Sequence, residues 1–594
     1  METENFGQYS VPDAETCVAL NVGQPSNDFL KHIKENVINK LLQKLIENPN
    51  PSLLQYGNIQ GYTSFRNDFA RFLSEQYKFS VNPNNLLMID GITGALRLIL
   101  PLLGCAGKTI FVEDPTYMNA ITIFKELGMN VVSIPMSDDG IDIDNLQYEV
   151  SKRFHMGEDC YLYTIPYFNN PTGFSMKKCE QLKHICDAYP NLTILSDEVY
   201  HFLGFHSTSG YPLSYYHPNI ISLGTFSKIL CPSLRLGWIY ASDIYIDKFS
   251  KSGTMDSAGG LTFSCCLVHP LFTSSDLTMQ SIITEWRNFL HGNYKSLIYF
   301  LQHNLSEYIE DIHESDGGYF MWVGFKNHIN MKELSKYMEK YQIKFHHGNK
   351  FTTTDKFTNY IRLSYSWYHD AKSYELFTLR LKNLIQDSLK IRIHILGHTG
   401  KLGKAICEEI SKVPDLELVS GLGRDIDISL VTNFNNVIID VSQPEATKNL
   451  LEKLLENKLY VPVLIGTTGA LPFELIEKYS EFASILVCPN FSRGISEFKK
   501  MISQVDRDHW NTSMVEKHHV HKKDSPSGTA IALADVYGLP RDAITSIREG
   551  EIIGEHELIL DSEYETISIK HVAKSRKLFA LGALDHVREI VGLK

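Results

Sequence analysis

Residues 516–529 read Glu-Lys-His-His-Val-His-Lys-Lys-Asp-Ser-Pro-Ser-Gly-Thr, the densest run of chemistry-bearing side chains in the sequence. Its imidazoles and ammonium groups can give and take protons. His518 and Lys522 stand four apart, a spacing that sets both on one side of either a strand or a helix. The Ser-Gly-Thr turn beyond them offers backbone N–H groups and a hydroxyl to an anion. The run predicts two proton donors facing one point, beside a turn that suits an anion. Read as metal ligands, His518, His519, His521 and Asp524 lack an H-E-x-x-H-like spacing, so no metal is expected.

Such groups need rigid elements to aim them. The apolar run Ile391–Leu396 is followed by Gly397-His-Thr-Gly400-Lys401-Leu402-Gly403 and then by a helix-like stretch, 404–413. This is not the G-x-G-x-x-G fingerprint, but a glycine turn between strand and helix is where a dinucleotide pyrophosphate sits. After the next strand-like run, 416–422, Gly423 and Arg424 stand where an acid would read a ribose hydroxyl. An arginine there favours a 2′-phosphate, so NADPH is expected over NADH. Earlier in the chain, short apolar runs alternate with amphipathic stretches from about residue 85 to 245 (109–112, 131–134, 160–165, 193–195, 220–223 and 237–241). That alternation predicts α/β architecture with a mostly parallel sheet. Residues 280–315 read as helical, 318–366 as a smaller α/β lobe, and 371–387 as an amphipathic helix. The helix runs into the strand at 391 without a Gly/Ser- or Pro-rich linker.

The 594 residues carry 57 Lys and Arg against 69 Asp and Glu, a formal charge of −12. No basic nucleic-acid footprint is present. Ten scattered cysteines contain no C-x-x-C pair, which fits a reducing compartment. No run reaches the roughly 18–20 apolar residues of a membrane span. The polar, acidic start is unlike a targeting peptide. A soluble, cytoplasmic protein with no nucleic-acid or membrane partner is expected.

Beyond about residue 389, the sequence resembles dihydrodipicolinate reductase (4-hydroxy-tetrahydrodipicolinate reductase). Besides the 516–529 run and the glycine turn, Val437-Ile-Ile-Asp440, Ile465-Gly466-Thr467-Thr468-Gly469, Pro489-Asn490-Phe491-Ser492, Gly554-Glu-His556 and His571-Val-Ala-Lys-Ser-Arg576 occur in the family's order. The resemblance implies His518 and Lys522 as the acid/base pair, with His519, Gly528 and Thr529 on the substrate. It implies Gly397, Gly400, Lys401, Leu402, Gly403, Arg424, Gly466, Thr467, Thr468, Pro489, Asn490 and Phe491 on the nicotinamide cofactor. Two departures stand out: Val520 replaces a usual arginine and Arg493 a small apolar residue.

Residues 15–385 resemble fold-type I pyridoxal-phosphate aminotransferases, nearest the aminoadipate/kynurenine branch. The resemblance rests on Gly224-Thr225-Phe-Ser227-Lys228 with Arg235, Ser196-Asp197-Glu-Val-Tyr200, Asn169-Asn170-Pro171-Thr-Gly173, Glu113-Asp-Pro-Thr-Tyr117 and Ile361-Arg362-Leu. It implies Lys228 as the catalytic amine, Asp197 as partner of the ring nitrogen, and Asn170 and Tyr200 on the ring oxygen. Tyr117 would stack on the ring. Thr225, Ser227, Arg235, Ile92 and Thr93 would hold the phosphate. Arg362 and Gly23 would hold the substrate, and Tyr56 would reach a neighbouring subunit's phosphate, which implies a homodimer or larger homo-oligomer.

The fold expected is thus α/β throughout: a PLP-transferase type I half over 1–388, with a large parallel-sheet domain and a small lobe. A Rossmann domain (391–490) with an inserted α+β substrate domain (491–575) and a C-terminal return (576–594) follows. The function expected is bifunctional, with transamination joined to NAD(P)H-dependent reduction of 4-hydroxy-tetrahydrodipicolinate in diaminopimelate/lysine synthesis. The alternatives are a transaminase whose cyclic imine product the second half reduces, as lysine to pipecolate would be, and a ligand-binding regulator with one inactive half.

Overall fold

The computed structural model describes residues 15–591, apart from 48–50, 208–209, 259–260, 424, 433–434 and 507. It divides into two compact units, Met1–Ile385 and Gln386–Lys594. The division falls inside the helix Ala371–Leu389 rather than at an element's end.

In the first unit an eight-stranded sheet runs in the order Leu86–Ile89, Gly237–Tyr240, Ile220–Thr225, Leu192–Asp197, Cys160–Thr164, Thr109–Asp114, Asn130–Ser137, Gly140–Ile141. The five strands from Ile220–Thr225 through Asn130–Ser137 are parallel, and the outer pairs are antiparallel. Every residue of Thr109–Asp114, Cys160–Thr164 and Ile220–Thr225 is buried, as strands covered on both faces must be. That explains why they read as short unbroken apolar runs. The helix expected over 280–315 ends earlier. It spans Met279–Leu305, and Ile309–His313 is an edge strand of a four-stranded sheet with Phe320–Phe325, Tyr360–Ser364 and His346–His347. Partial exposure of Ile309–His313 gives it a mixed polarity that the helical pattern hid.

In the second unit five parallel strands run Leu416–Leu422, Ile391–Leu396, Asn436–Asp440, Val463–Ile465, Ile485–Val487. Ile391, Ile393 and Ile395 pack with Val437 and Ile439 against the helices Lys401–Ile410 and Lys577–Ile590. Leu396, Ile438, Val463 and Ile465 pack on the other face against Pro444–Glu456 and Phe473–Ser480. Each such fully buried aliphatic side chain contributes about 1.5–3 kcal/mol. The strand order reverses beside Ile391–Leu396, so its carboxyl end opens at a topological switch point. The glycine turn lies there. A second, four-stranded sheet (Ile544–Arg548, Asn511–His518, Glu555–Asp561, Thr566–Val572) is backed by Arg493–Ile502 and Gly528–Tyr537. Among the described residues no helix is long and apolar enough to cross a membrane.

Candidate active sites

One cavity of about 1390 Å³ in the first unit gathers twelve of the thirteen residues expected there: Gly23, Ile92, Thr93, Tyr117, Asn170, Asp197, Tyr200, Thr225, Ser227, Lys228, Arg235 and Arg362. Sheet and loops explain the convergence. Asp197 closes the strand Leu192–Asp197, Thr225 closes the neighbouring strand, and Lys228 lies in the turn beyond it. The Lys228 amine donates to Gly23 O at 2.8 Å, and its carbonyl accepts from Tyr319 (2.7 Å) and Trp286 (3.1 Å). Burial, with Arg362 nearby, brings the Lys228 ammonium down to about 8, while Asp197 pulls it up. Burial likewise lifts the Asp197 carboxyl to about 6, against the Tyr163 hydroxyl (2.6 Å) and the Val199 amide that donate to it.

Arg362 is fixed from four sides. It donates to Asn170 Oδ1 (2.9 Å) and Asn21 O (2.5 Å), and its guanidinium stacks on Phe320 and Phe351 at 4.0 and 4.9 Å. A planar guanidinium so held can take a carboxylate bidentately. At the phosphate end, the Ser227 amide donates to Thr225 Oγ1 (3.1 Å), and Arg235 donates to Asp90 O (2.6 Å). The helix Ile92–Leu102 starts at Gly91 with no side-chain cap, the kind of terminus whose first amides suit an anion. A buried carboxylate, an amine of lowered basicity and an anion cup in one cavity fit pyridoxal phosphate. Tyr56 does not line the cavity and is 83 % exposed.

The sequence did not single out three contributors. Tyr163 bonds Asp197. Glu113, raised to about 8 by burial, accepts from Thr164 (2.5 Å), the Ile165 amide (3.0 Å) and Asn169 (2.7 Å) and so anchors the loop that carries Asn170. Lys34 lines the cavity from a π-helical turn, Lys34–Ile38, and makes no ion pair among the described residues. Glu113 stood inside a quoted motif. Lys34 gave no signal beyond its charge.

In the second unit Gly397 holds φ +89°, left-handed backbone that favours glycine, and a Cβ on Gly403 would lie 2.3 Å from Gly397 O. The helix Lys401–Ile410, with Gly400 as its N-cap, starts three residues before the helix-like stretch read from the sequence, so Lys401 and Leu402 form its first turn. Asp440 is fully buried and collects the hydroxyls of Ser442, Thr447 and Thr467. It thereby fixes the Gly466–Thr467 loop, while Thr468 and Pro489 are exposed. Asn490 donates to Thr529 Oγ1 at 2.8 Å and ties the sheet's carboxyl end to the helix Gly528–Tyr537. Ser527 caps that helix through its own hydroxyl, and the Gly528 amide donates to the Asp524 carboxylate at the same N-terminus. The arrangement fits a nicotinamide dinucleotide at the turn and an anionic substrate at the capped helix. Arg424 lies outside the described residues.

The shared face expected for His518 and Lys522 does not exist. The strand Asn511–His518 ends at His518, and Lys522 sits in the following turn with its ammonium 2.9 Å from Asp524. The turn still brings Lys522 close enough to lower the His518 basicity, which burial depresses first and Glu516 opposes. The four-residue spacing found the pair, but a reversal of the chain brings them together. His519 and His521 keep their rings 6.3 Å apart. The groups that do converge are Glu516, His518 and His556, whose ligand-type atoms lie within 4.8 Å of one another. Glu516 bonds His518 Nδ1 and also accepts from Arg548 at 2.7 Å. Burial alone would raise the Glu516 carboxyl, but Arg548, Ser546 and His518 together hold it below its ordinary value. Burial drives the His556 imidazole to about 3. Two cationic side chains, Arg548 and Lys522, bear on this cluster, and positive charge so placed disfavours a bound cation.

Comparison with known proteins agrees with this division. The model of the family "Aminotransferase class I and II" matches residues 15–377. Those of "Dihydrodipicolinate reductase, N-terminus" and "C-terminus" match 391–491 and 494–594. An aromatic-amino-acid aminotransferase of Thermococcus litoralis is 26% identical over 361 residues, covering 60% of this chain and 85% of that protein. A 4-hydroxy-tetrahydrodipicolinate reductase of Caldanaerobacter subterraneus subsp. tengcongensis is 32% identical over 240 residues, covering 35% of this chain and 95% of that protein. A crystal structure of a multiple substrate aminotransferase from Thermococcus profundus shares the fold, with a TM-score of 0.57 at 24% identity over 63% of this chain and 92% of that one.

Proposed function

The chain belongs to the aminotransferase class I and II family over its first unit and to the dihydrodipicolinate reductase family over its second, and from that premise we propose that it runs two adjoining steps of diaminopimelate synthesis. The second unit would reduce 4-hydroxy-tetrahydrodipicolinate with NADPH. The first would transaminate the open, 2-keto form of the product, or an acylated derivative of it. Bound pyridoxal phosphate would supply the electron sink.

The chain's own residues supply the rest. Arg362 holds the α-carboxylate, Asp197 keeps a positive charge at the ring nitrogen, and Lys228 moves the α-proton. In the second unit the Gly528–Thr529 amides hold a substrate carboxylate, and the Glu516–His518 pair with Lys522 handles the proton that accompanies hydride. The reading is supported by one polypeptide carrying candidate groups in both halves, Lys228, Asp197 and Arg362 around one cavity and His518, Lys522 and Thr529 in the other unit.

Lys34 adds support for a dicarboxylate. A cation in addition to Lys228, Arg235 and Arg362 favours a substrate with a distal carboxylate and disfavours a diamino acid, whose far ammonium would meet it. The test supplies the full-length chain with NADPH, glutamate, pyridoxal phosphate and the dihydrodipicolinate precursor, and looks for diaminopimelate by mass spectrometry. Its formation is expected. NADPH oxidation without diaminopimelate would sink the coupled steps while leaving the reductase standing.

A further inference from the structure

Cys488 stands one residue past the strand Ile485–Val487, at the carboxyl end of the parallel sheet. It is partly exposed, and its backbone amide donates to Ile465 O at 2.8 Å. Its thiol donates to Asn490 O at 3.3 Å, and its sulfur lies 3.5 Å from His586 Nε2. His586 Nδ1 lies 2.9 Å from Glu589 Oε2, one helical turn on in Lys577–Ile590. A carboxylate at Nδ1 accepts the proton of that nitrogen and fixes the tautomer. The Nε2 lone pair then faces the thiol. Nucleophile, base and orienting carboxylate stand in the order that activates a thiol. Two other cysteines, Cys17 and Cys407, share its intermediate exposure, but among the described residues neither has an imidazole at its sulfur.

We propose that Cys488 is a modification site, a thiol activated by His586 and Glu589 that a small hydroperoxide oxidises, closing the nucleotide pocket. His586 takes the thiol proton as the sulfur attacks the outer peroxide oxygen. The O–O bond breaks and an S–O bond forms. The leaving alkoxide or hydroxide takes the proton back from His586. The cysteine is oxidised by two electrons to the sulfenic acid, and the hydroperoxide is reduced to alcohol or water. An added thiol restores the cysteine by reducing it through a mixed disulfide. Burial holds the resting thiol above its ordinary value, with Lys499 opposing and Glu589 adding, so the sulfur rests protonated and depends on His586 for activation. The new oxygen would lie against Asn490 O and disturb the residue that ties Thr529 to the sheet. Closure of the pocket rests on the reading of Pro489–Phe491 as cofactor contacts, whereas the thiol chemistry does not.

The experiment treats full-length protein with a few equivalents of hydrogen peroxide and traps sulfenic acid with dimedone. Peptide mass spectrometry then compares Cys488 with Cys17 and Cys407. Labelling of Cys488 at least tenfold faster than both is expected, with His586→Gln falling to their rate and Glu589→Gln lying between. Thermal unfolding checks that each variant is folded. Equal rates at the three cysteines, or an unchanged rate in folded His586→Gln, would overturn the proposal. NADPH fluorescence before and after oxidation reads closure: loss that dithiothreitol reverses is expected, and unchanged binding would overturn the closure. Untreated protein that binds no NADPH would instead count against the cofactor reading, leaving the labelling rates to decide on the thiol.

Discussion

Lys228 has lost the solvation that keeps a free lysine protonated, and its ammonium is brought to about 8 by burial and Arg362. Below that pH the amine is charged and unreactive. Above it the amine is free, so reductive methylation at Lys228 should rise with a midpoint near 8, against about 10.4 for exposed lysines. Mass spectrometry across a pH series measures it. Arg362→Leu should move the midpoint up and Asp197→Asn down, because the first removes a like charge and the second an opposite one. A midpoint at the ordinary lysine value would discard the electrostatic account of this site. In the second unit, Glu516→Gln should replace the charged acceptor at His518 Nδ1 with a neutral amide and leave the imidazole still less basic than burial already makes it. A loss of roughly 10²–10⁴-fold in kcat is expected with the KM for NADPH little changed, the range of one general acid/base contribution. NADPH oxidation assays and the pH dependence of the His518 ¹⁵N shifts check it, and an unchanged His518 titration in the variant would remove Glu516 from that role. Lys228, Asp197 and Arg362 were legible because motif order carries them. Glu516 opens the same run as His518 and was passed over. Two residues apart on a strand means the same face, but the run had been read for four-residue spacing.

The turn between Ile391–Leu396 and Lys401–Ile410 works because Gly403 brings the helix's first turn against the Gly397 carbonyl. A side chain there meets backbone, 2.3 Å from Gly397 O and 2.7 Å from His398 Cα, and backbone cannot swing aside. Gly403→Val should therefore weaken NADPH binding about tenfold or more, since overpacking costs about 1–3 kcal/mol. Fluorescence titration measures it, and wild-type affinity in a folded variant would show that the turn does not seat the nucleotide. On the other unit's cavity wall, the π-helical turn Lys34–Ile38 interrupts the run from Asn27 to Ile46. Leu30, Ile33, Lys34 and Ile38 all line the cavity, so this helix presents an apolar strip carrying a single cation. Lys34→Ala should raise KM about threefold to tenfold for a 2-keto dicarboxylate and leave a monocarboxylate unaffected, as expected of a partly screened charge worth about 0.5–1.4 kcal/mol. Equal effects on both substrates would refute the distal-carboxylate role. Parallel strands were legible as unbroken apolar runs. Ile309–His313 was not, because an edge strand with one wet face loses that signature.

At the scale of the molecule, the division between Ile385 and Gln386 cuts a helix whose residues Phe377, Leu381, Leu384 and Ile385 are buried. The sequence offered a boundary near 388 because hydrophobic periodicity changes from helix to strand there, and a helix that continues across the division leaves no composition signal to read. A separation that respects the helix ends after Leu389, giving fragments 1–389 and 390–594, each with its own buried clusters. These fragments allow a decision between two reasons for the fusion. A product released into solution diffuses away long before the next turnover at a typical rate of about 10 s⁻¹. Shared covalent linkage then fixes only the one-to-one ratio of the two activities. On that ground the lag before diaminopimelate accumulates should be the same for the intact chain and for an equimolar mixture of the two fragments, provided each fragment keeps its own rate. Stopped-time mass spectrometry at matched concentrations measures the lag. A shorter lag in the intact chain would require transfer without release, and trapping by added unlabelled product would then fail to dilute the isotope in the diaminopimelate formed.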